Sequence, residues 1–170
     1  MNPSLVGSEM CIRDRLVAGD EVITSTGAGT FIIPANVSSV SIMAVGGGAG
    51  SGTTAALGAG QVTGGGGAGA VGILNNIAVT PGQTITYNVG VGGGGNNNGG
   101  DTTVTYGGTT YTAGGGQASS AVAISSLNVE TYARKVGGAG GTTTGAWTNS
   151  KAGGKGGDSY RHNNLSLIHI

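Results

Sequence analysis

Thr84-Ile85-Thr86-Tyr87-Asn88-Val89-Gly90-Val91, followed directly by Gly92 to Gly95, decides the fold class. Ile85, Tyr87, Val89 and Val91 fall on one face of an extended chain, and Thr84, Thr86, Asn88 and Gly90 fall on the other. A strict period of two marks a half-buried antiparallel strand. No window shows apolar spacing at three and four, and each interior glycine would cost a helix about 1 kcal/mol relative to alanine. The chain is therefore read as all-β.

Outward from that stretch, Val40, Ile42 and Ala44 repeat the alternation. Met43 and Val45 on the opposite face suggest a central strand covered on both sides. Weaker strand signals run over Val71 to Val79, Thr102 to Tyr106, Thr109 to Ala113, Ser120 to Ser126 and Leu127 to Lys135, and Thr30 to Ile33 opens the set. Pro34 stops the opening strand. Pro81-Gly82 supplies a fixed φ followed by a free one, and Gly107-Gly108 reads as a two-residue hairpin turn. Between the strands lie five glycine segments, 46–52, 64–69, 90–100, 114–116 and 137–157. They share no fixed period, which excludes collagen.

Both termini look like translated sequencing adapter. One frame of the tagmentation duplex reads LVGSEMCIRD, which stands at Leu5 to Asp14 before Arg15, and the reverse complement of the transposase end reads LSLIHI, Leu165 to Ile170. Residues 1–15 and 165–170 are accordingly expected to be adapter-derived and are set aside from the fold argument. Residues 16–28 are expected to be an incomplete lead-in. Cys11, the single cysteine, lies in the first of these stretches, so no disulfide framework is expected.

Glycine supplies 38 of the 149 residues from 16 to 164 (39 less Gly7), against a usual share of about 7%. Roughly 34 large apolar residues remain, enough for one small core, and they cluster in strand-length runs with the glycines gathered between them. The expected fold is a small antiparallel β-sandwich with long glycine-rich loops. Seven basic and seven acidic residues balance, so nothing favours nucleic acid or an anionic membrane as partner. The mild excess of Arg134, Lys135, Lys151, Lys155 and Arg161 over Glu130 and Asp158 reads as solvated surface.

The motifs that could carry chemistry read poorly. Gly64 to Gly69 and Gly90 to Gly95 match G-x-G-x-x-G, but Asn96-Asn97-Asn98-Gly99-Gly100 follows the second match where a dinucleotide site needs a helix. Asn96, Asn98 and Asp101 could offer oxygens to calcium, yet one carboxylate is little charge for such a site, and Asx-rich turns explain the segment. No carboxylate pair, nucleophile elbow or metal-ligand spacing appears, so no enzyme, cofactor or metal is expected. Trp147, in Gly145-Ala146-Trp147-Thr148-Asn149, has two readings: an exposed loop aromatic that stacks on a sugar or partner surface, or a cap folded onto the core. Tyr160 is read in the same two ways. Asn96, Asn97 and Asn98 complete the candidate loop-tip residues, while Tyr87, Tyr106 and Tyr111 are expected in or on the sheets.

Thr30-Phe31-Ile32-Ile33-Pro34, then Val37 to Val45, then Gly46-Gly47-Gly48-Ala49-Gly50, resembles the opening of the glycine-rich domain of bacteriophage tail fibres and related surface proteins. Thr80-Pro81-Gly82-Gln83-Thr84, leading through Val89-Gly90-Val91-Gly92, is similar to the same domain's later T-P-G-Q-T and V-G-x-G-G motifs. The likeness covers 29–116, with 117–164 expected to continue the domain. At Asn36 the family usually has glycine, and asparagine also tolerates positive φ.

The resemblance implies a structural or adhesive module of a virion appendage. It would bind a host surface glycan or surface protein through its glycine loops, and gain strength as a homo-oligomer in a fibre. In some adhesins of that kind the loops pack as stacked polyglycine II helices, whereas the runs here are short and broken by Thr, Asn and Ala. A prokaryotic extracellular or cell-surface matrix domain is the alternative, and a carbohydrate-binding appendage of an enzyme a third.

Overall fold

The computed structural model describes residues 19, 21–52, 62–119, 121–122 and 132–162. Twelve strands appear among them: β1 (Gly27–Ile32), β2 (Ser39–Val45), β3 (Val62–Thr63), β4 (Val71–Ala78), β5 (Thr84–Val89), β6 (Thr102–Tyr106), β7 (Thr109–Ala113), β8 (Ala121–Val122), β9 (Tyr132–Lys135), β10 (Thr143–Thr144), β11 (Asn149–Lys151) and β12 (Ser159–His162). Every pairing is antiparallel. The fold is all-β, as the alternation at Thr84 to Val91 implied. Residues 123–131, which held parts of two expected strands, lie outside the described residues.

Two sheets face each other. One has five strands in the order β1-β5-β6-β7-β10, and the other three in the order β11-β4-β2. Alternate residues of both point inward, where Ile33, Ala44, Ile85, Val104 and Ala113 are buried together beneath Phe31, Val40, Ile42, Val79 and Tyr87. The Tyr106 hydroxyl on β6 donates to the carbonyl of Ala78 on β4 and so ties one sheet to the other.

The turn residues behave as their chemistry demands. Gly82 takes φ +79 after Pro81, with Gln83 N–H donating to the Thr80 carbonyl, a type II turn. Gly107 and Gly108 both take positive φ between β6 and β7, which identifies a type I′ hairpin. Asn36 takes φ +68 in the turn where glycine was the expected residue. A bulge interrupts β2–β4: Val40 faces Ile77 and Ile42 faces Leu74, so Ser41 stands opposite two residues, Asn75 and Asn76. Asn76 takes φ +49 there, and its N–H donates to Ser41 Oγ at 3.0 Å.

The expectation for β2 needs correction. It is an edge strand, not a central one, and Met43 and Val45 are 67% and 49% exposed. The apolar residues on its second face resemble those of a covered strand, but no layer lies over them among the described residues.

The glycine stretches take the packing that the sequence left open. Segments 46–52, 64–70, 90–95, 96–100, 114–119, 137–142 and 152–157 run side by side from the sandwich and bond one another through their backbones. Gly46 and Ala49 donate to Ala70 and Gly67; Gly47 and Gly50 donate to Gly100 and Asn97; Gly67 and Ala70 donate to Gln117 and Gly114. Gly65 and Ala68 donate to Gly157 and Gly154, and Gly138 and Gly141 donate to Gly65 and Ala68. Partners recur every third residue, no bond forms within a segment, and none of the bundle glycines has positive φ. These are the marks of threefold polyglycine II helices, at about 3.1 Å per residue. Interruptions by Ala, Asn and Thr do not break the bundle, since only positions facing a neighbour must be glycine.

Candidate functional site

The bundle follows from a steric rule. At 19 glycines of these segments a Cβ would lie closer than 3.0 Å to the backbone of another segment, Gly67 against Ala139, Gly116 against Gly67 and Gly140 against Gly153 among them. The absence of a side chain is what lets the backbones approach to hydrogen-bonding distance. Segment 64–70 lies innermost and bonds 46–52, 114–119, 137–142 and 152–157. Gly48, Gly92, Gly154 and Gly157 differ: an added Cβ would meet nothing within 4 Å, which puts these four on the perimeter.

Side chains fasten the bundle at its ends. Gly99-Gly100-Asp101-Thr102 enters β6, and Gly156-Gly157-Asp158-Ser159 enters β12. Asp101 Oδ1 accepts the N–H of Gly115 at 2.8 Å, and Asp158 Oδ1 accepts the N–H of Gly137 at 2.8 Å. Thr102 Oγ1 donates to the carbonyl of Val45 at 2.6 Å, and Ser159 Oγ donates to the carbonyl of Thr63 at 2.6 Å. Each of those carbonyls belongs to the residue preceding a glycine segment. The two Gly-Gly-Asp-Thr/Ser stretches are thus the same fastening used twice. Sequence reasoning weighed Asp101 as a calcium ligand and missed this role, although the repeated tetrapeptide was the available signal. Buried Ser119 adds a third clasp, accepting from Gly52 N–H at 3.1 Å and donating to the Gly64 carbonyl.

The candidate tip residues separate. Asn96, Asn97 and Asn98 lie exposed at the turn joining 90–95 to 96–100, where Asn96 takes φ +61. Asn97 Nδ2 donates to the Gly95 carbonyl at 3.1 Å, and Asn98 Oδ1 accepts the N–H of Ala118 at 2.8 Å. Asn98 therefore acts as a strut toward the neighbouring segment 114–119. Trp147 is at the other end, within the sandwich. Its indole covers the Cα of Gly72 on β4, stands edge-on to Tyr111 on β7 with centroids 5.4 Å apart, and donates from Nε1 to the Thr144 carbonyl at 3.0 Å. This is the core-capping arrangement of the two considered for Trp147. Tyr160 is in β12 opposite Arg134, and its side chain lies outside the described residues.

The far end of the bundle carries two small sheets, β3–β8 and β9–β12, in contact with each other. They continue the glycine segments outward from the sandwich. Among the described residues no group of three or more His, Cys, Asp or Glu could hold a metal, and no helix is long and apolar enough to cross a membrane.

A two-sheet antiparallel body bearing a backbone-bonded bundle of threefold glycine helices defines a class of glycine-rich all-β domain. The family profile for the glycine-rich domain matches residues 24–166, and the chain belongs to that family. The match takes in segments 137–142 and 152–157, which bond into the same bundle as the earlier ones. No curated protein matches the chain.

Proposed function

We propose that this chain is an adhesive module of a phage tail fibre or a similar virion appendage, which holds a contact surface away from its body on a stiff glycine pillar. One observation carries the reading: the glycine segments bond one another through their backbones at every third residue, which suits the bundle to support rather than to binding. Contact with a host glycan or surface protein then falls to the ends that the bundle holds, the 95–98 turn and the far small sheets. A bundle cross-linked every third residue resists bending where a free glycine loop would not. Fluorescent full-length chain, displayed on a trimeric scaffold and measured on bacterial cells by flow cytometry, tests this. Saturable adsorption, removed by periodate for a glycan or by protease for a protein, supports adhesion. Absence of adsorption across a broad panel of bacterial cell types overturns it.

The alternative, a cell-surface or matrix domain whose role is assembly, draws on a different observation. Gly48, Gly92, Gly154 and Gly157 have neither positive φ nor a crowding neighbour among the described residues, so each spends chain entropy for no internal gain. Contact with glycine helices of further copies would account for them. Sedimentation of the chain alone distinguishes the two: concentration-dependent lateral assembly, abolished by Gly92→Ala, favours the matrix role.

A further inference from the structure

Eight of the eleven outward positions of the five-stranded sheet are threonine, the others being Ala28, Ile32 and Asn88. Pairing places Thr30, Thr86, Thr105 and Thr110 in one unbroken rank across β1, β5, β6 and β7. Thr103 and Thr112 stand side by side in the next rank, two residues along each strand. Neighbouring strands are about 4.8 Å apart and alternate residues about 6.7 Å apart, so the methyls and hydroxyls repeat in two directions. Thr105 Oγ1 and Thr110 Oγ1 bond each other at 2.9 Å, which fixes those two hydroxyls relative to one another.

No charged residue occupies any outward position of this sheet. Solvent-facing sheets ordinarily carry Lys and Glu, which keep proteins soluble and blunt association. The face also lacks the aromatic platform on which sugars stack. Ile32 is its only large apolar residue, too little for the apolar centre of a contact with a second copy. What fits a neutral, periodic array of hydroxyls and methyls is a neutral, periodic array of water.

We propose that this threonine face binds ice, independently of any adhesive role. Each threonine offers a hydroxyl that can join the lattice as donor and acceptor and a methyl that can seat between lattice waters. Binding would pin an ice front and lower the temperature at which crystals grow.

The test is thermal hysteresis and ice-crystal habit for the full chain, alongside Thr86→Lys and Thr105→Lys. Ser39→Lys, on the other sheet, serves as control, and the fold of each variant is checked by circular dichroism and Trp147 fluorescence. The expected result is faceted crystals and a hysteresis gap for the parent and the control, both lost in the two threonine variants. Thr105→Ser removes only a methyl and is expected to shrink the gap, which keeps the test decisive if a lysine variant does not fold. Round, unshaped crystals with the parent chain overturn the proposal, as does a gap that survives the threonine substitutions. Loss of binding to an insoluble crystalline polysaccharide in those variants, with no ice shaping by the parent, overturns it in favour of a glycan lattice.

Discussion

The carboxylate of Asp101 receives the backbone N–H of Gly115 at 2.8 Å and so anchors the start of one glycine segment to the end of another. Asp158 does the same for Gly137, and the residue after each aspartate, Thr102 or Ser159, holds a carbonyl on a third part of the chain. Two copies of one device pin the bundle, one at the sandwich and one at the far sheets.

Thr102 is 6% exposed and serves two backbone groups, donating to the Val45 carbonyl and accepting from Gly90 N–H at 3.0 Å. Thr102→Val keeps the shape and removes both bonds. An unmet buried polar group costs about 1–3 kcal/mol, so urea denaturation should show a loss of about 2 kcal/mol or more. Thr102→Ser should retain most of the stability, because the hydroxyl remains.

Trp147 lies on Gly72, and a methyl at that position would overlap the indole. Gly72→Ala is therefore expected to displace the ring and to lower stability by about 1–3 kcal/mol, as overpacking does. Trp147 is the single tryptophan, so its emission reports the event directly: the variant should fluoresce to the red of the parent before any unfolding. Trp147→Ala should cost about 3 kcal/mol by circular dichroism, near the lower end for loss of a large aromatic, since the ring is only half-buried.

Asn36 at φ +68 occupies a turn position that glycine would take without strain. Asn36→Gly is expected to leave thermal stability nearly unchanged. Asn36→Val should lose about 1–2 kcal/mol, the cost of left-handed backbone for a residue with a branched Cβ. Equal melting temperatures for the two variants would contradict this account of the turn.

The strands and turns were legible because their signals are local. Thr102 to Tyr106 and Thr109 to Ala113 match β6 and β7, and Gly107-Gly108 named its own turn. β2 was misplaced because Met43 and Val45 look like the second face of a covered strand, and alternation alone does not reveal whether a layer lies above. β10, β11 and β12 escaped notice because runs of two to four residues carry no period. The bundle was hidden for a deeper reason: its bonds pair residues such as Gly65 and Gly157, and nothing in a glycine says which carbonyl it faces. Trp147 stayed open between two readings for a similar reason, since its local neighbours are glycine and alanine while its packing partners, Gly72 and Tyr111, are far off in sequence.

The central claim is that the glycines are selected by close approach of backbones, not by φ or by loop freedom. It is tested most directly by the unfolding free energies of Gly67→Ala and Gly116→Ala, inside the bundle, against Gly92→Ala and Gly154→Ala on its perimeter. The account predicts a loss of about 3 kcal/mol or more for each interior change, or failure to fold, because the methyl meets backbone that cannot yield. It predicts no loss, and a gain of up to about 1 kcal/mol, at the perimeter, where alanine only reduces the freedom of the unfolded chain. Interior and perimeter variants of equal stability would show that these segments are loops after all, and would contradict the claim.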